Sequence, residues 1–378
     1  MSRVIFWTAV ACAVYTYLGY PALLAAIARL RPRPIRRRPI RPSVSILIVA
    51  HNEAAWIGRK IESCLALDYP DGRLEIVVAS DGSTDATPAI VRTYEPRGVR
   101  LVAFELRRGK PSVLNAVIPK LCGEIVLLAD ARQTFDRDAL TALVANFADP
   151  EVGAASGELV VRSTAELPVA DGVGFYWRYE KVIRRLESRY DSTVGTTGAV
   201  YALRRPLFEP IPNDTLLDDV LIPMRLARRG YRVVFEPQAR AWDEAAATAQ
   251  QEFARKVRTI AGNFQLFVNH RWLLSPWRNR LWVQTLSHKA LRLLAPAFLV
   301  AILAANVALY GMPFYRATLT VQGLFYLAAA LGHVTGGRRT SRWLTVPYAF
   351  CFLNVITVVS FYRFITARQA VTWTKAQS

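Results

Sequence analysis

Hydrophobic and polar positions divide the chain into an apolar beginning, an alternating central part and an apolar end. An uncharged run covers residues 4–28, and three further apolar runs lie at about 290–312, 317–335 and 343–366. About 20 apolar residues in a helix span the hydrocarbon core of a bilayer. The pattern therefore predicts membrane-spanning helices on both sides of the central part.

Residues 1–30 are predicted to form a retained transmembrane helix; a cleaved signal peptide is the alternative. The apolar run is too long for a signal peptide, and a basic segment follows it in place of a small-residue cleavage site. Seven arginines between Arg29 and Arg41 predict a cytoplasmic location for this segment. Its prolines predict a stiff, extended linker over 31–42 with no helix of its own.

The sequence of the predicted C-terminal transmembrane region, 290–378, is compatible with two topologies. Three arginines between the last two apolar runs indicate a cytoplasmic loop: Arg338, Arg339 and Arg342. With three spans, the basic tail would then lie outside, against the positive-inside rule, so one run could instead be re-entrant or interfacial. That tail carries Arg363, Arg368 and Lys375.

Residues 263–289 connect the central part to this region. Tryptophans alternate there with arginines, a composition typical of an amphipathic helix at the lipid headgroups, although an ordinary packed helix is the alternative. The residues are Trp272, Trp277 and Trp282 with Arg271, Arg278 and Arg280.

The central part, 43–262, alternates short apolar runs with helical patterns. The runs predict strands at 43–50, 74–80, 100–106 and 124–130, and helices separate them. We expect Asn52 to cap the first of these helices. This alternation is typical of an α/β domain with a parallel sheet and helices on both faces.

Polar clusters follow all four predicted strands. Ligands of such sheets bind outside the carboxyl ends of the strands. Each cluster alone is better explained by a turn or a helix cap. Four clusters at one sheet edge, however, favour a nucleotide diphosphate site, with carboxylates for the base and ribose and cations for the pyrophosphate. The clusters lie at 51–53, 80–85, 107–110 and 130–132.

Acidic and basic residues are unevenly distributed along the chain. The net charge of +19 would ordinarily suggest a nucleic-acid binder. However, residues 1–52 have eight basic and no acidic side chains, residues 253–378 have fifteen and none, and residues 53–252 carry all 29 acids. The positive excess therefore belongs to the apolar flanks, which favours a membrane protein and argues against nucleic acid as a partner. The four cysteines show no paired spacing.

Six sequence motifs together resemble the family 2 glycosyltransferases, specifically the membrane-bound branch with cellulose, hyaluronan and poly-N-acetylglucosamine synthases. The motifs are PSVSILIVAHNEA, VVASDGSTDAT, RRGKPSVLNA, LLADARQ, LLDDVLIPMRLARRGYRV and RKVRTIAGNFQLF, in this order. The resemblance implies a GT-A fold, a UDP-sugar or similar donor, inversion at the anomeric carbon, and a glycan or lipid-linked acceptor. It also implies a multi-pass protein of the cell (inner) membrane with a cytoplasmic catalytic domain.

The resemblance also implies roles for single residues. On the donor side, it implies contacts to the nucleotide sugar from Ala50, His51, Glu53, Asp81, Lys110, Asp130 and Arg258. Asp219 matches the catalytic base, with Asp218 beside it, and Gly198 matches the acceptor-side loop. The alternative for Asp218 and Asp219 is that they only begin a helix over 219–229, where acids favour the helix dipole.

Two departures from the family pattern bear on cofactor and product. The D-x-D motif, whose acids bind Mg²⁺ or Mn²⁺, reads Asp130-Ala131-Arg132, so Asp130 is the one metal ligand left in it. We expect either that Arg132 partly replaces the metal at the diphosphate or that a metal binds through other ligands. Thr259 replaces the tryptophan on which a polymer's terminal sugar stacks, which puts processive synthesis in doubt. A non-catalytic nucleotide-binding subunit of a glycan synthesis or export complex is the alternative function.

Overall fold

The computed structural model describes residues 1–162, 168–244, 249–335 and 341–366. The predicted cytoplasmic-loop residues Arg338 and Arg339 and the tail residues Arg368 and Lys375 lie outside this described part.

Eight strands form one sheet in the order β3-β2-β1-β4-β7-β6-β8-β5. The strands are β1 (Val44–Ala50), β2 (Leu74–Asp81), β3 (Val99–Phe104), β4 (Ile125–Asp130), β5 (Thr134–Phe135), β6 (Val152–Arg162), β7 (Tyr201–Arg204) and β8 (Arg232–Glu244).

The first four strands are parallel, as the strand pattern predicts. The expectation of a wholly parallel sheet is wrong beyond β4, because β7 runs antiparallel to both β4 and β6. Strand β5 is antiparallel to β8 as well. An apolar run in a buried strand looks the same in either direction, so the sequence pattern does not reveal this reversal.

Helices cover both faces of the sheet. They are α3 (Ala54–Leu65), α4 (Thr87–Arg92), α5 (Lys110–Val117), α6 (Ala139–Val144), α7 (Pro168–Tyr190), α8 (Asp218–Arg228) and α9 (Ala249–Asn269). The alternating side chains of β1 separate two cores: Ile46 and Ile48 pack with α3, α4 and α6, whereas Leu47 and Val49 pack with α5, α8 and α9. Every residue of β1 is buried, which explains its unbroken apolar run.

Asn52 does not cap α3, contrary to the sequence expectation. Its backbone is left-handed, with φ of 55°, a conformation that asparagine tolerates better than most residues. Its side-chain oxygen accepts a hydrogen bond from the Thr84 amide at 2.8 Å. The first amide of α3, that of Ala54, donates instead to Asp85 Oδ2 at 3.1 Å. Asn52 therefore joins the loop after β1 to the loop after β2.

Four helices in the described part of the chain are long and apolar enough to cross a membrane, by length and composition. The first comprises α1 (Ser2–Val14), a π-helical turn (Tyr15–Gly19) and α2 (Tyr20–Leu30). The second comprises α10 (Trp282–Gln284), a π-helical turn (Thr285–Ala290) and α11 (Leu291–Ala308), and the others are α12 (Pro313–Val334) and α13 (Arg342–Ile365). Phe6, Ala305 and Tyr315 pack together where α1, α11 and α12 meet.

Residues 263–289 do not form the single amphipathic helix expected as one alternative. They complete α9, form a 3₁₀ turn at Arg271–Leu274 and begin the second apolar helix at Trp282. Arg280 holds the intervening loop against the end of α8, donating to the carbonyl oxygens of Ala227 and Tyr231 at 3.0 and 2.7 Å. Location of this segment at the lipid headgroups stays a prediction.

The basic linker after α2 has no helix or strand, as its prolines predict. It is packed against the domain: Arg33 pairs with Glu151 at 2.8 Å, and Arg37 pairs with Glu236 at 3.0 Å. The fully buried Arg232 donates to the carbonyl oxygen of Arg33 at 2.9 Å. These contacts fix how the first apolar helix joins the sheet.

Candidate active site

Three carboxylates converge on the ammonium group of Lys110. Asp130 ends β4, while Asp218 and Asp219 begin α8, and Lys110 begins α5. Lys110 Nζ lies 3.1 Å from Asp130 Oδ1 and 3.4 Å from Asp218 Oδ2. Three elements far apart in the sequence thus meet at the edge where the parallel strands end, as expected for this sheet.

Gly198 closes one side of this cluster with its backbone. Its amide donates to Asp219 Oδ2 at 3.1 Å. A β-carbon at this position would lie 3.5 Å from Asp130 Oδ2, 3.6 Å from Asp219 Oδ2 and 3.7 Å from Lys110 Nζ. Thr196 also donates to the Asp219 carbonyl, from both its amide and its hydroxyl, at 2.8 Å. The loop before β7 therefore holds Asp219 in one orientation.

The environment changes the acidity of the cluster in opposite directions. Burial raises the pKa of Asp219 to about 6, and the neighbouring Asp218 carboxylate adds to the rise while Lys110 opposes it. Burial lowers the pKa of Lys110, but Asp130, Asp218 and Asp219 more than reverse this, and the pKa ends above its ordinary value. Lys110 therefore stays charged, whereas Asp219 can exchange a proton near neutral pH.

The residues predicted to hold the nucleotide lie along the same edge. Ala50 ends β1 and is fully buried. His51 Nδ1 donates to the Asp81 carbonyl oxygen at 2.7 Å, and the Glu53 amide donates to Thr87 Oγ1 at 2.8 Å. The structure brings these four predicted donor-side residues together, and their contact with a nucleotide stays a prediction.

Asp81 has a structural task that the sequence does not reveal. Its carboxylate is buried and accepts hydrogen bonds from the amides of Arg108 at 2.6 Å and Gly109 at 2.9 Å. The adjacent Gly82 has φ of +60°, and a β-carbon there would lie 2.5 Å from the Arg107 amide nitrogen. Asp81 and Gly82 thus fix the loop that delivers Lys110 to the cluster.

Arg132 points to a different partner from the one expected. Its Nη2 lies 2.5 Å from Asp243 Oδ2, and Gln133 Nε2 donates to the same oxygen at 3.1 Å. Arg255 Nη1 is 3.7 Å from that oxygen as well. The structure therefore directs the Arg132 guanidinium to β8, outside the cluster around Lys110.

The residues at this site do not fit a divalent cation held by protein side chains. Lys110 occupies the space beside Asp130, and Arg132 replaces the second acid of the D-x-D motif. Within residues 1–162, 168–244, 249–335 and 341–366, no three His, Cys, Asp or Glu side chains are grouped to bind a metal ion. We therefore derive no chemical step through a metal.

Helix α9 brings Arg258 to the side of this site. Gln265 Oε1 accepts from the Leu216 amide at 3.0 Å, which ties α9 to the segment before Asp218. A β-carbon on Gly262 would lie 2.7 Å from Leu217 Cγ, so the α9 backbone packs directly against the Leu217 side chain. Arg258 precedes Gly262 by four residues and shares its helix face. Thr259 is exposed and donates to the Arg255 carbonyl oxygen at 3.1 Å.

A buried polar network, which the sequence analysis missed, links the site to the apolar helices. The two ring nitrogens of His288 lie 2.8 Å from Glu187 Oε1 and 2.6 Å from Glu180 Oε1. Tyr20 of α2 donates to Glu187 at 2.7 Å. Glu187 Oε2 accepts from the Val194 amide at 3.3 Å, in the loop that orients Asp219. The available signal was an ionisable residue at the edge of an apolar run.

Replacing Glu187 by Gln should destabilise the protein strongly. Glu187 is fully buried, so the change removes the carboxylate partner of Tyr20 and one of the two carboxylates that contact His288, and we expect a loss of about 3–5 kcal/mol. The matched control is Glu151→Gln, because the Glu151 side chain pairs with Arg33 but is 54% exposed, and we expect a loss below about 1 kcal/mol. Thermal unfolding in detergent measures both variants; equal Tm values would contradict the prediction.

Comparison with known proteins agrees with this geometry. Residues 45–211 match the family model described as Glycosyl transferase family 2. The beta-monoglucosyldiacylglycerol synthase of Synechocystis is 26% identical over 260 residues, which are 64% of this chain and 52% of the relative. The poly-beta-1,6-N-acetyl-D-glucosamine synthase of Staphylococcus epidermidis is 24% identical over 234 residues, 61% of this chain and 56% of the relative. The chain spans about half the length of these curated relatives.

A solved structure is similar over nearly the whole chain. It is the mannosyltransferase PcManGT from Pyrobaculum calidifontis in complex with GDP-Man and Mn²⁺, with a TM-score of 0.72 and 26% identity. The likeness covers 97% of this chain and 100% of that one, and it confirms the predicted GT-A fold. Residues 45–211 of this chain thus match a family 2 glycosyltransferase domain, and the chain has the GT-A fold.

Proposed function

We propose that the protein is a membrane-embedded, inverting glycosyltransferase that uses a nucleotide-sugar donor, a UDP-sugar by the motif resemblance. The observation that carries the proposal is Asp219, a partly buried carboxylate with a pKa of about 6, held by Gly198 beside the Lys110 cluster. A general base needs a pKa close to the working pH. The relatives support the reaction class, since they include a glycolipid synthase and a polysaccharide synthase.

The reaction is a single in-line displacement. Asp219 takes the proton of an acceptor hydroxyl while that oxygen forms its bond to the anomeric carbon. The bond from this carbon to the diphosphate oxygen breaks on the opposite face, and the nucleotide diphosphate leaves with the electron pair. Asp218 assists by its charge, because it helps to raise the pKa of Asp219. The contact of Asp218 with Lys110 favours Asp219 as the base.

Fixed cations offset the charge that develops on the leaving diphosphate. Lys110 is already charged and buried at the site, and Arg258 lies on the helix face beside the start of α8. Preorganised charges of this kind stabilise a transition state without reorganising. Arg132 can take part only after it leaves Asp243, which now holds it at 2.5 Å.

A lipid-linked acceptor agrees best with the surroundings of the site. The network through Glu187 and His288 ties the catalytic loop directly to two helices that are apolar enough to cross a membrane. In addition, exposed Thr259 offers no aromatic surface for a growing polymer. Sizing the products of transfer decides the matter: a single addition supports a lipid-linked acceptor, whereas a ladder supports polysaccharide synthesis.

The second candidate function is a non-catalytic nucleotide-binding subunit. The ion pair between Arg132 and Asp243, at the position of a metal-binding acid, favours it. The complete cluster of Asp130, Asp218, Asp219 and Lys110 argues against it, because a protein that only binds nucleotide has no need of a carboxylate with a raised pKa.

Asp219→Asn should lower transfer by at least about 100-fold, because the acceptor hydroxyl loses its base. Donor binding and Tm should stay near wild type, since the raised pKa shows that burial disfavours the charged form of Asp219. The assay is nucleotide release from a panel of nucleotide sugars by protein in nanodiscs. The exposed neighbour Asp214 gives the matched control, Asp214→Asn, which should be active. Wild-type turnover in Asp219→Asn would remove Asp219 from the mechanism.

The turnover number should fall at acid pH as Asp219 gains a proton. With a pKa of about 6 in the folded protein, the base is mostly ionised at pH 7 and mostly protonated at pH 5. We therefore expect kcat about tenfold lower at pH 5 than at pH 7. Circular dichroism at both pH values controls for unfolding. A rate that is flat across this range in folded protein would argue against Asp219 as the base.

Transfer should persist in excess EDTA, because Lys110 and the neighbouring arginines supply the positive charge that a metal ion would otherwise bring to the diphosphate. Turnover is compared with and without added Mg²⁺ or Mn²⁺, in wild type and in Arg132→Gln. If wild-type turnover requires the cation and Arg132→Gln behaves as wild type does, metal-free neutralisation of the diphosphate is wrong.

A further inference from the structure

A cleft of about 470 Å³ lies between the basic linker and the C-terminal half of α7. Its rim carries Arg33, Arg37, Arg185 and Arg189, and its floor includes Phe235 and Pro237. The volume is in the range of sites for small ligands. The cleft is separate from the carboxylate cluster, and the proposed mechanism uses none of its side chains.

The carboxylates near the cleft only partly neutralise its arginines. Arg185 reaches Glu158 at 3.4 Å, but Lys181 Nζ already contacts the same carboxylate at 2.5 Å. Arg189 is exposed, and in the part of the chain that the structure describes it forms no ion pair. The Arg185 side chain is 56% exposed. The cleft therefore keeps an excess of positive charge that water can reach.

The other two arginines of the cleft, Arg33 and Arg37, also contact carboxylates and remain partly exposed. Arg33 contacts Glu151 at 2.8 Å and Asp191 at 3.1 Å, and Asp191 also pairs with Arg280. Arg37 contacts Glu236. Both arginine side chains remain more than two-fifths exposed, at 43% and 42%. The Arg33–Glu151 pair is exposed on both sides and therefore weak, so an anion can compete for the Arg33 guanidinium group. The Glu236 side chain is buried, and Arg37 offers an anion only the part of its guanidinium group that remains exposed.

The position of the cleft points to the membrane surface. The linker that lines it starts directly after Leu30, the last residue of α2. Helix α7 packs along the same apolar helix, since Tyr20, Leu24 and Ile183 form one buried cluster. Arg185 and Arg189 follow Ile183 on α7, toward the end at which α2 leaves its apolar stretch. If that helix spans the bilayer, the cleft lies at the lipid headgroups.

We propose that this cleft binds the phosphate of an anionic glycerophospholipid. Guanidinium groups bind phosphate oxygens in pairs, and basic pockets at the cytoplasmic end of membrane helices suit lipid headgroups. The apolar part of the lining, which includes the exposed Pro32 and Pro34 and the more buried Ile35 and Phe235, receives the glycerol and the first methylene groups. That apolar lining and the position after α2 favour a lipid over a free phosphate ion. The inference rests on the proposed membrane location, and it is independent of the proposed glycosyl transfer.

The test compares full-length protein in nanodiscs of phosphatidylcholine alone and of phosphatidylcholine mixed with phosphatidylglycerol. Native mass spectrometry counts the lipids retained after release from the disc. We expect wild type to retain phosphatidylglycerol. The double variant Arg185→Gln/Arg189→Gln should bind it about 30-fold more weakly, since each arginine near a membrane surface raises the affinity about fivefold. Arg185→Lys/Arg189→Lys keeps the charge and should lie between them.

Two exposed arginines provide a matched control. Arg92→Gln/Arg97→Gln removes the same amount of charge. As in the cleft, one of the two arginines is paired, since Arg97 contacts Glu62, and the other, Arg92, has no ion pair among the described residues. This variant should retain lipid as wild type does. Equal lipid retention by both glutamine double variants would overturn the proposal.

Two further outcomes also overturn it. If inorganic phosphate displaces phosphatidylglycerol, the cleft is a phosphate site with no lipid preference. If the protein does not enter nanodiscs at all, the proposed membrane location fails and the lipid site fails with it. Loss of lipid retention in a variant that still releases nucleotide leaves the proposed glycosyl transfer standing.

Discussion

The ammonium group of Lys110 lies among three carboxylates, of which Asp218 is buried and Asp130 is 44% exposed, and its positive charge offsets their mutual repulsion. Aspartates held this close together without a cation would tend to take up protons. Lys110 is 3.1 Å from Asp130 and 3.4 Å from Asp218, and it only partly opposes the effects of burial and of the Asp218 charge on Asp219, whose pKa rises to about 6. The same interaction therefore holds β4, α5 and α8 together and prepares one carboxylate to accept a proton.

This cluster depends on support from both sides. On the sheet side, Asp81 fixes the loop before Lys110 through the amides of Arg108 and Gly109. On the side of the apolar helices, the loop that orients Asp219 is held by Glu187, which also contacts Tyr20 and His288 of two of these helices. A shift of either apolar helix would reach Asp219 through a short series of hydrogen bonds. The apolar helices are thus part of the framework of the site.

The sequence predicted those parts of the structure that local patterns determine. The strands ending in Ala50, Asp81 and Asp130 follow from apolar runs bounded by polar residues, and the polar ends meet because parallel strands share an edge. The reversal at β7 and the left-handed turn at Asn52 could not be predicted, because both depend on neighbours brought in by the tertiary fold. Arg132 and Asp243 are 111 residues apart, and His288 and Glu180 are 108 apart, so no local pattern indicates either pair.

The segregation of charge along the chain has a structural counterpart. The acids of the central part are not reserved for the candidate site, since Glu151, Asp191 and Glu236 receive arginines from the basic linker. These pairs position the linker, and Arg232 adds a hydrogen bond to the carbonyl oxygen of Arg33. Because such pairs at the surface are weak and share their acids, part of the positive charge is left over at the end of the first apolar helix. A net charge that suggests nucleic acid when it is counted over the whole chain therefore becomes, once folded, a basic surface beside an apolar helix.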